Sequence, residues 1–187
     1  MTMQKYRSAL RNAAKALVAT VMLAGLSACA TAANPGMMAV TAPPPNAKAF
    51  PQRFVGAMCV RNVTGGETTN PLWVSKVDNA GFQSALTQSL QTAGLAAASP
   101  TCAFPVDANL LGLSQPAIGF DMTVTSHVNY KVYDAAGQSV VLATVDAPYT
   151  AKMSDAFMGV ERLRLANEGS IRLSIQMFFD KLRDTTP

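Results

Sequence analysis

The sequence predicts an α+β protein, a two-layer open sandwich whose four-stranded, mostly antiparallel sheet carries two helices on one face. Three observations predict it. Residues 120–132 alternate apolar and polar side chains with Ser126 as the one exception, the period of a strand with one buried and one wet face. Segments 79–93 and 154–182 repeat apolar residues at helical spacing. Turn residues separate the periodic stretches, and the order β-α-β-β-β-α offers two apolar helix faces to cover one side of a sheet.

Taken in order, Phe54 to Val63 reads as a first strand, apolar on both faces and stopped by Thr64-Gly65-Gly66. Asp78 or Asn79 is the expected cap of the first long helix, in which Phe82, Leu86 and Leu90 recur every four residues and Gly94 is the stop. Val106 to Leu113 is the second strand. In the third, Phe120, Met122, Val124, Val128, Tyr130 and Val132 face inward with Ser126 as the one polar member. Asp121, Thr123, Thr125, His127, Asn129 and Lys131 face water. Asp134 to Gly137 is a hairpin turn, and the return strand is Val140 to Ala151, with Val141, Ala143, Val145 and Tyr149 inward. Pro148 implies a bulge or a sheet edge there. Ser154 is the expected cap of the last helix, buried through Val160, Leu163, Ile171, Ile175, Phe178 and Leu182. Gly169 weakens its middle or permits close packing.

Ahead of this domain lie two further segments. Lys5, Arg7, Arg11 and Lys15 precede an apolar stretch from Ala16 to Leu26, the layout of an export signal. That stretch is too short to span a bilayer, which takes about 20 residues. Leu26-Ser27-Ala28-Cys29 follows and resembles the cleavage box of bacterial lipoproteins, which implies removal of residues 1–28 and lipid on Cys29. The competing reading is an ordinary signal cut nearby. Ala30 stands where such lipoproteins commonly carry the Asp that retains them in the inner membrane, so the resemblance implies the outer membrane. Residues 29–52, Ala/Pro-rich with Pro43-Pro44-Pro45, are expected to form an extended tether, leaving 53–187 as one periplasmic domain.

The cut changes the composition. All four basic residues of the signal leave with it and no acidic residue does, so eleven of each remain and the net charge of +4 vanishes. A neutral chain gives no electrostatic case for nucleic acid. Cys59 and Cys102 remain as a pair, either a disulfide in an oxidising compartment or two buried thiols. One His and no second cysteine pair exclude a zinc ribbon, and C-x-x-C is absent. No metal and no cofactor are expected.

Catalytic signatures are missing as well. There is no G-x-S-x-G elbow, residue 132 is Val where an H-x4-D acyltransferase needs Asp, and hexapeptide repeats are absent. His127 reads as a solvated strand residue. Carboxylate spacing in sequence does not exclude a glycosidase pair. Two stretches carry candidate partner contacts. In the loop 65–73, Glu67, Asn70 and the single Trp, Trp73, could hold a partner or a glycan, against the reading in which Trp73 folds inward. In 157–168, Arg162 or Arg164 could meet an anionic group, against the reading of a helix stitched by Glu161–Arg164 and Arg164–Glu168 pairs.

The box at Cys29, the Pro-rich stretch and the element order over 54–183 together resemble small outer-membrane lipoproteins of the Gram-negative envelope. That group includes auxiliary lipoproteins of lipid-transport and lipopolysaccharide-assembly systems. The resemblance implies lipid anchoring and architecture, and the missing catalytic signatures lead to the expectation of a non-enzymatic protein whose partner is another envelope protein or a lipid. Its alternatives are a carrier of lipid or glycolipid and, behind that, a hydrolase of envelope polymers.

Overall fold

The computed structural model describes residues 30–70, 74–99 and 101–185. Cys29 and Trp73 lie outside these, and so does the export signal. The elements are α1 (Pro35–Met38), a 3-10 turn at Gln52–Phe54, β1 (Met58–Thr64), α2 (Asn79–Thr92), β2 (Phe104–Ser114), β3 (Met122–Tyr133), β4 (Ser139–Ala151) and α3 (Gly159–Arg183). The strands form one sheet in the order β1-β2-β3-β4. β1 runs parallel to β2, and the two remaining pairs are antiparallel. A parallel pair needs a crossover, and α2 provides it, packing on β1. α3 packs on β3 and β4, so both long helices cover one face. The expected α+β open sandwich is the observed architecture.

Local chemistry sets the boundaries. Asp78 caps α2 by accepting the Gly81 N–H at 2.6 Å. Gly94 ends the helix with φ of 69°, a conformation that costs glycine nothing. The alternation of β3 holds from Met122, with Val124, Ser126, Val128, Tyr130 and Val132 all buried. Ser126 is tolerated inside because its hydroxyl donates to the Ser170 carbonyl at 3.2 Å; its N–H donates to Ser170 Oγ at 2.8 Å, which in turn donates to the Ala147 carbonyl at 2.8 Å. Phe120 does not join the inward row. It precedes the strand and is 81% exposed.

Tyr130 anchors the middle of the core. Its ring stacks on Phe178 with centroids 4.3 Å apart, and its hydroxyl lies 2.9 Å from Ser174 Oγ. Complete burial pushes its phenol well above the usual range. Gly169 serves close packing, since a Cβ there would stand 2.2 Å from the Tyr149 ring. Pro148 sits in β4, the last strand of the sheet, which satisfies the edge expectation.

The first strand, expected from Phe54, begins at Met58, with Phe54 in the 3-10 turn before it. Two further expectations are corrected. The last helix begins at Gly159, not Ser154, and Met158 occupies the cap position with no side-chain bond. Residues 152–155 instead form a turn in which Asp155 Oδ2 accepts the Lys152 N–H at 2.8 Å. The second correction concerns residues 30–40, expected as part of a free tether. Ala33, Met38, Ala39 and Val40 are buried in the main core. Asn34 caps α1, and its N–H donates to Glu168 Oε1 at 2.8 Å. The Val40 N–H reaches Ser89 Oγ at 2.9 Å, and Ser75 Oγ donates to the Thr31 carbonyl at 2.8 Å. A single turn with two adjacent methionines leaves no periodic signal, yet it buries one of them, Met38, completely. Residues 41–46, by contrast, are exposed.

Cys59 and Cys102 are joined by a disulfide with Cα atoms 5.8 Å apart, which closes a loop of 43 residues around the crossover. Among the described residues, no helix is long and apolar enough to cross a membrane.

Candidate functional site on the open sheet face

Because side chains alternate along strands and both helices lie on one side, the other face of the sheet stays open. Register places Thr64, Asn109, Asn129 and Thr144 opposite one another, a polar row that crosses all four strands. The Thr64 hydroxyl donates to Asn109 Oδ1 at 3.0 Å, and the Thr144 hydroxyl donates to Asn129 Oδ1 at 2.7 Å. Beside this row Asp107 takes a two-pronged bond from Arg61 at 2.8 and 2.6 Å. The same guanidinium lies 4.2 Å from the centroid of the Tyr133 ring. Asn62, Thr64, Asp107, Asn109, Asn129 and Lys131 line a depression of about 180 Å³. The arrangement offers donors and acceptors across a flat surface. It suits a polar partner and has no apolar pocket for an acyl chain.

Further along the same face, Ser114 Oγ lies 3.0 Å from His127 Nε2, and His127 Nδ1 lies 2.7 Å from Asp146 Oδ1. The connectivity is that of a nucleophile, a base and its orienting carboxylate. The setting differs. The three residues come from adjacent strands of an open face, and the Asp146 side chain is 66% exposed, so water competes for each bond. His127 is thus a surface residue with two partners.

The arginines expected as recognition residues are engaged inside the protein. Arg162 is only 6% exposed. Its Nη1 donates to the carbonyls of Ala156 at 2.7 Å and Phe157 at 2.6 Å, and Nη2 donates to that of Gly119 at 3.3 Å. Arg162 therefore ties the loop before β3 to the loop before α3. Arg164 is held by Glu161 and Glu168 on its own helix. These bonds hold the Glu161 carboxyl below its ordinary range and raise the Arg164 guanidinium. Glu168 shifts the opposite way, raised because burial disfavours its charge. The sequence offers Arg162 to an outside partner, yet both Arg162 and Glu168 are buried. A charge pair at helical spacing carries no sign of which face it occupies.

In the loop after β1, Glu67 pairs with Lys76 at 3.4 Å, and the Asn70 carbonyl accepts the Val74 N–H at 3.3 Å. The structure thus places Glu67 and Arg164 in two separate ion-pair groups. Among the described residues no cluster of three His, Cys, Asp or Glu side chains could hold a metal. Asn109, Thr144, Ser114 and Asp146 were not singled out from the sequence. The wet side of β3 gave Asn129 and His127, but their neighbours depend on register shifted at Val60/Asn62 and Leu110/Gly112.

No family model matches the chain, and no curated protein matches it. Solved structures do. A DUF330 protein from Xanthomonas campestris is 10% identical with a TM-score of 0.55, the alignment covering 80% of this chain and 91% of that one. A candidate lipoprotein from Caulobacter crescentus is 11% identical with a TM-score of 0.43, covering 69% of this chain and 90% of that one. PelC from Paraburkholderia phytofirmans, a dodecamer, is 15% identical with a TM-score of 0.45, covering 70% and 88%. The first of these likenesses establishes a shared fold and nothing about activity.

Proposed function

We propose that this chain is a lipid-anchored, non-enzymatic protein of the outer membrane's periplasmic face that binds another envelope component through the open face of its sheet. One observation carries the reading. The row Thr64–Asn109–Asn129–Thr144 gives a continuous polar strip across the whole sheet, with none of the described helices over it. The lipid anchor rests on the sequence at Leu26-Ser27-Ala28-Cys29. A carrier would need an apolar cavity of several hundred Å³ to enclose acyl chains. The space between sheet and helices is instead filled by Tyr130, Phe82, Phe178, Ile171 and Ile175, and the roomier depression of about 370 Å³ beside Ile118, Met122, Val160 and Leu163 is an open surface groove, not an enclosed cavity. A tightly filled core beside an exposed polar face favours binding over carriage.

The test places a photo-crosslinking side chain at Thr144 in the lipidated protein and, as a control, at Gln88 on the exposed side of α2. Adducts from detergent-solubilised membranes should form at Thr144 alone, and Asn109→Ala with Asn129→Ala should abolish them. Equal adducts at both sites, or adducts indifferent to the double substitution, would remove the sheet face from the reading. Separately, Cys29→Ala should release the protein from the membrane fraction. Retention of that variant would sink the anchor.

A further inference from the structure

We infer that the end of the domain formed by residues 116–121 and 152–158 is a membrane-contact surface, its apolar side chains seated in the interfacial layer of the bilayer beside the lipid anchor. The inference rests on the reading of Cys29 as the lipid-bearing residue.

Ile118, Phe120 and Phe157 are 88%, 81% and 84% exposed, and Met153 and Met158 are each 44% exposed. Large side chains on single loops are often exposed, but five on two adjoining loops form a patch. The loops adjoin because β3 begins and β4 ends at the same end of an antiparallel pair, where Met122 faces Ala151. Arg162 then clamps them together through its bonds to Gly119, Ala156 and Phe157. The two carboxylates nearby are occupied by backbone. Asp121 Oδ1 accepts the Met153 N–H at 3.0 Å, and Asp155 Oδ2 accepts the Lys152 N–H. These bonds satisfy turn backbone that would otherwise need water, while the two carboxylates and Lys152 stay exposed among the apolar groups.

The occupant follows from where the chain enters. Docking of residues 31–40 fixes the start of the domain, and the Thr31 carbonyl is bonded to Ser75 Oγ. The Ser75 carbonyl accepts both Gln115 Nε2 at 3.1 Å and Asn167 Nδ2 at 2.9 Å. Gln115 directly precedes the first apolar loop. Thr31 lies two positions from Cys29 and is linked through a single residue to the base of the patch. A lipid at Cys29 therefore delivers this end of the domain to the bilayer surface. The mature chain is formally neutral, so contact of this kind draws on buried apolar area and not on a basic surface. The two contributions, acyl chains and apolar loops, act together in a way one alone does not.

The test uses full-length lipidated protein with Trp73→Phe, carrying either Phe157→Trp or Leu142→Trp. Leu142 is exposed near the far end of β4, about 30 Å from Ala151 at the usual rise per strand residue. Reconstitution is into vesicles of phosphatidylethanolamine and phosphatidylglycerol containing lipid brominated near the top of the acyl chain. The Phe157→Trp protein should lose emission to the bromine and the Leu142→Trp protein should not. Hydrogen exchange at 116–121 and 152–158 should also slow on plain vesicles relative to the Cys29→Ala protein in solution. Both tryptophans unquenched, with mass spectrometry showing lipid on Cys29, overturns the surface and leaves the anchor standing. Absence of lipid on Cys29 overturns both. Protection that appears only when envelope proteins are added assigns the patch to a protein partner and overturns the lipid assignment.

Discussion

The two halves of the domain meet the same need, covering an apolar sheet face with a helix, by different means. In β1–α2–β2 the strands are parallel, and the chain must travel from one end of the sheet to the other before the second strand can pair. In β3–β4–α3 a four-residue turn joins long antiparallel strands, with Gly137 at φ of 77° and the Asp134 side chain accepting the Ala136 and Gln138 N–H groups at 2.9 Å. Closing the longer connection costs more chain entropy. The disulfide falls there, around the crossover, while the hairpin half relies on fit: Tyr149 against Gly169 and the Ser126–Ser170–Ala147 bonds. Covalent closure accompanies the distant pairing, and shape accompanies the local one.

The comparison breaks most readily at the disulfide. Replacing Cys59 and Cys102 together by Ser should lower stability by about 2–4 kcal/mol in urea unfolding, on the entropy of a 43-residue loop. Exchange should rise in β1 and in residues 95–99 and 101–104 while β3 and β4 stay protected; uniform loosening would deny the division. Next comes Gly169→Ala. Helix propensity alone would gain about 1 kcal/mol. The clash with Tyr149 reverses the sign, for an expected net cost of about 1–3 kcal/mol by thermal unfolding. A stabilised variant would show that fit does not hold the hairpin half.

Smaller effects lie along α3, and pH separates them. Glu161 is held below its ordinary value of 4.5 by Arg164, so its contribution is present above that value and fades as pH falls through the lowered one. Glu168 has the opposite sign. Burial raises its folded-state value, so its contribution is full below the ordinary value of 4.5 and lost as pH rises through the raised one. The slope of the urea midpoint against rising pH, from pH 3 to 7, should therefore be more negative in Glu161→Gln than in the parent and more positive in Glu168→Gln. Parallel profiles would mean that the triad contributes no linkage. The smallest expected effect is none at all: a fluorophosphonate probe should leave Ser114 unlabelled. Labelling abolished by His127→Asn would recast the sheet face as a hydrolytic site.

What could be read in the sequence was whatever repeats. The alternation of β3, its single inward polar residue Ser126, the cap at Asp78, the stop at Gly94 and the edge at Pro148 are local signals, and each matches the fold. The start of α3 was misplaced because Ser154 supplies a cap-like residue where the chain makes a turn instead. Asn34 and Val40 read as tether because their partners, Glu168 and Ser89 on separate helices, are far away in sequence. The polar row was half legible for the same reason. Asn129 announces its face, but Asn109 and Thr64 join it only through two register shifts that alternation cannot foretell. Arg162 reads as a surface charge and becomes a clamp, since its acceptors are loop carbonyls with no sequence signature.

Pro148 has one more effect, on self-association. An outermost strand of thirteen residues is a template on which a second copy could add its own strand. At the opposite side of the sheet that hazard is reduced by the chain itself, since Met58 exchanges backbone bonds with Leu95 and Ala97 at 2.9 and 2.8 Å. β4 has no such cover among the described residues, and proline there has no N–H to offer. A chain laid along β4 would meet an interruption three residues from its end. Long exposed edges of this kind are disarmed by a missing donor as well as by a shield, and this protein uses one device on each side.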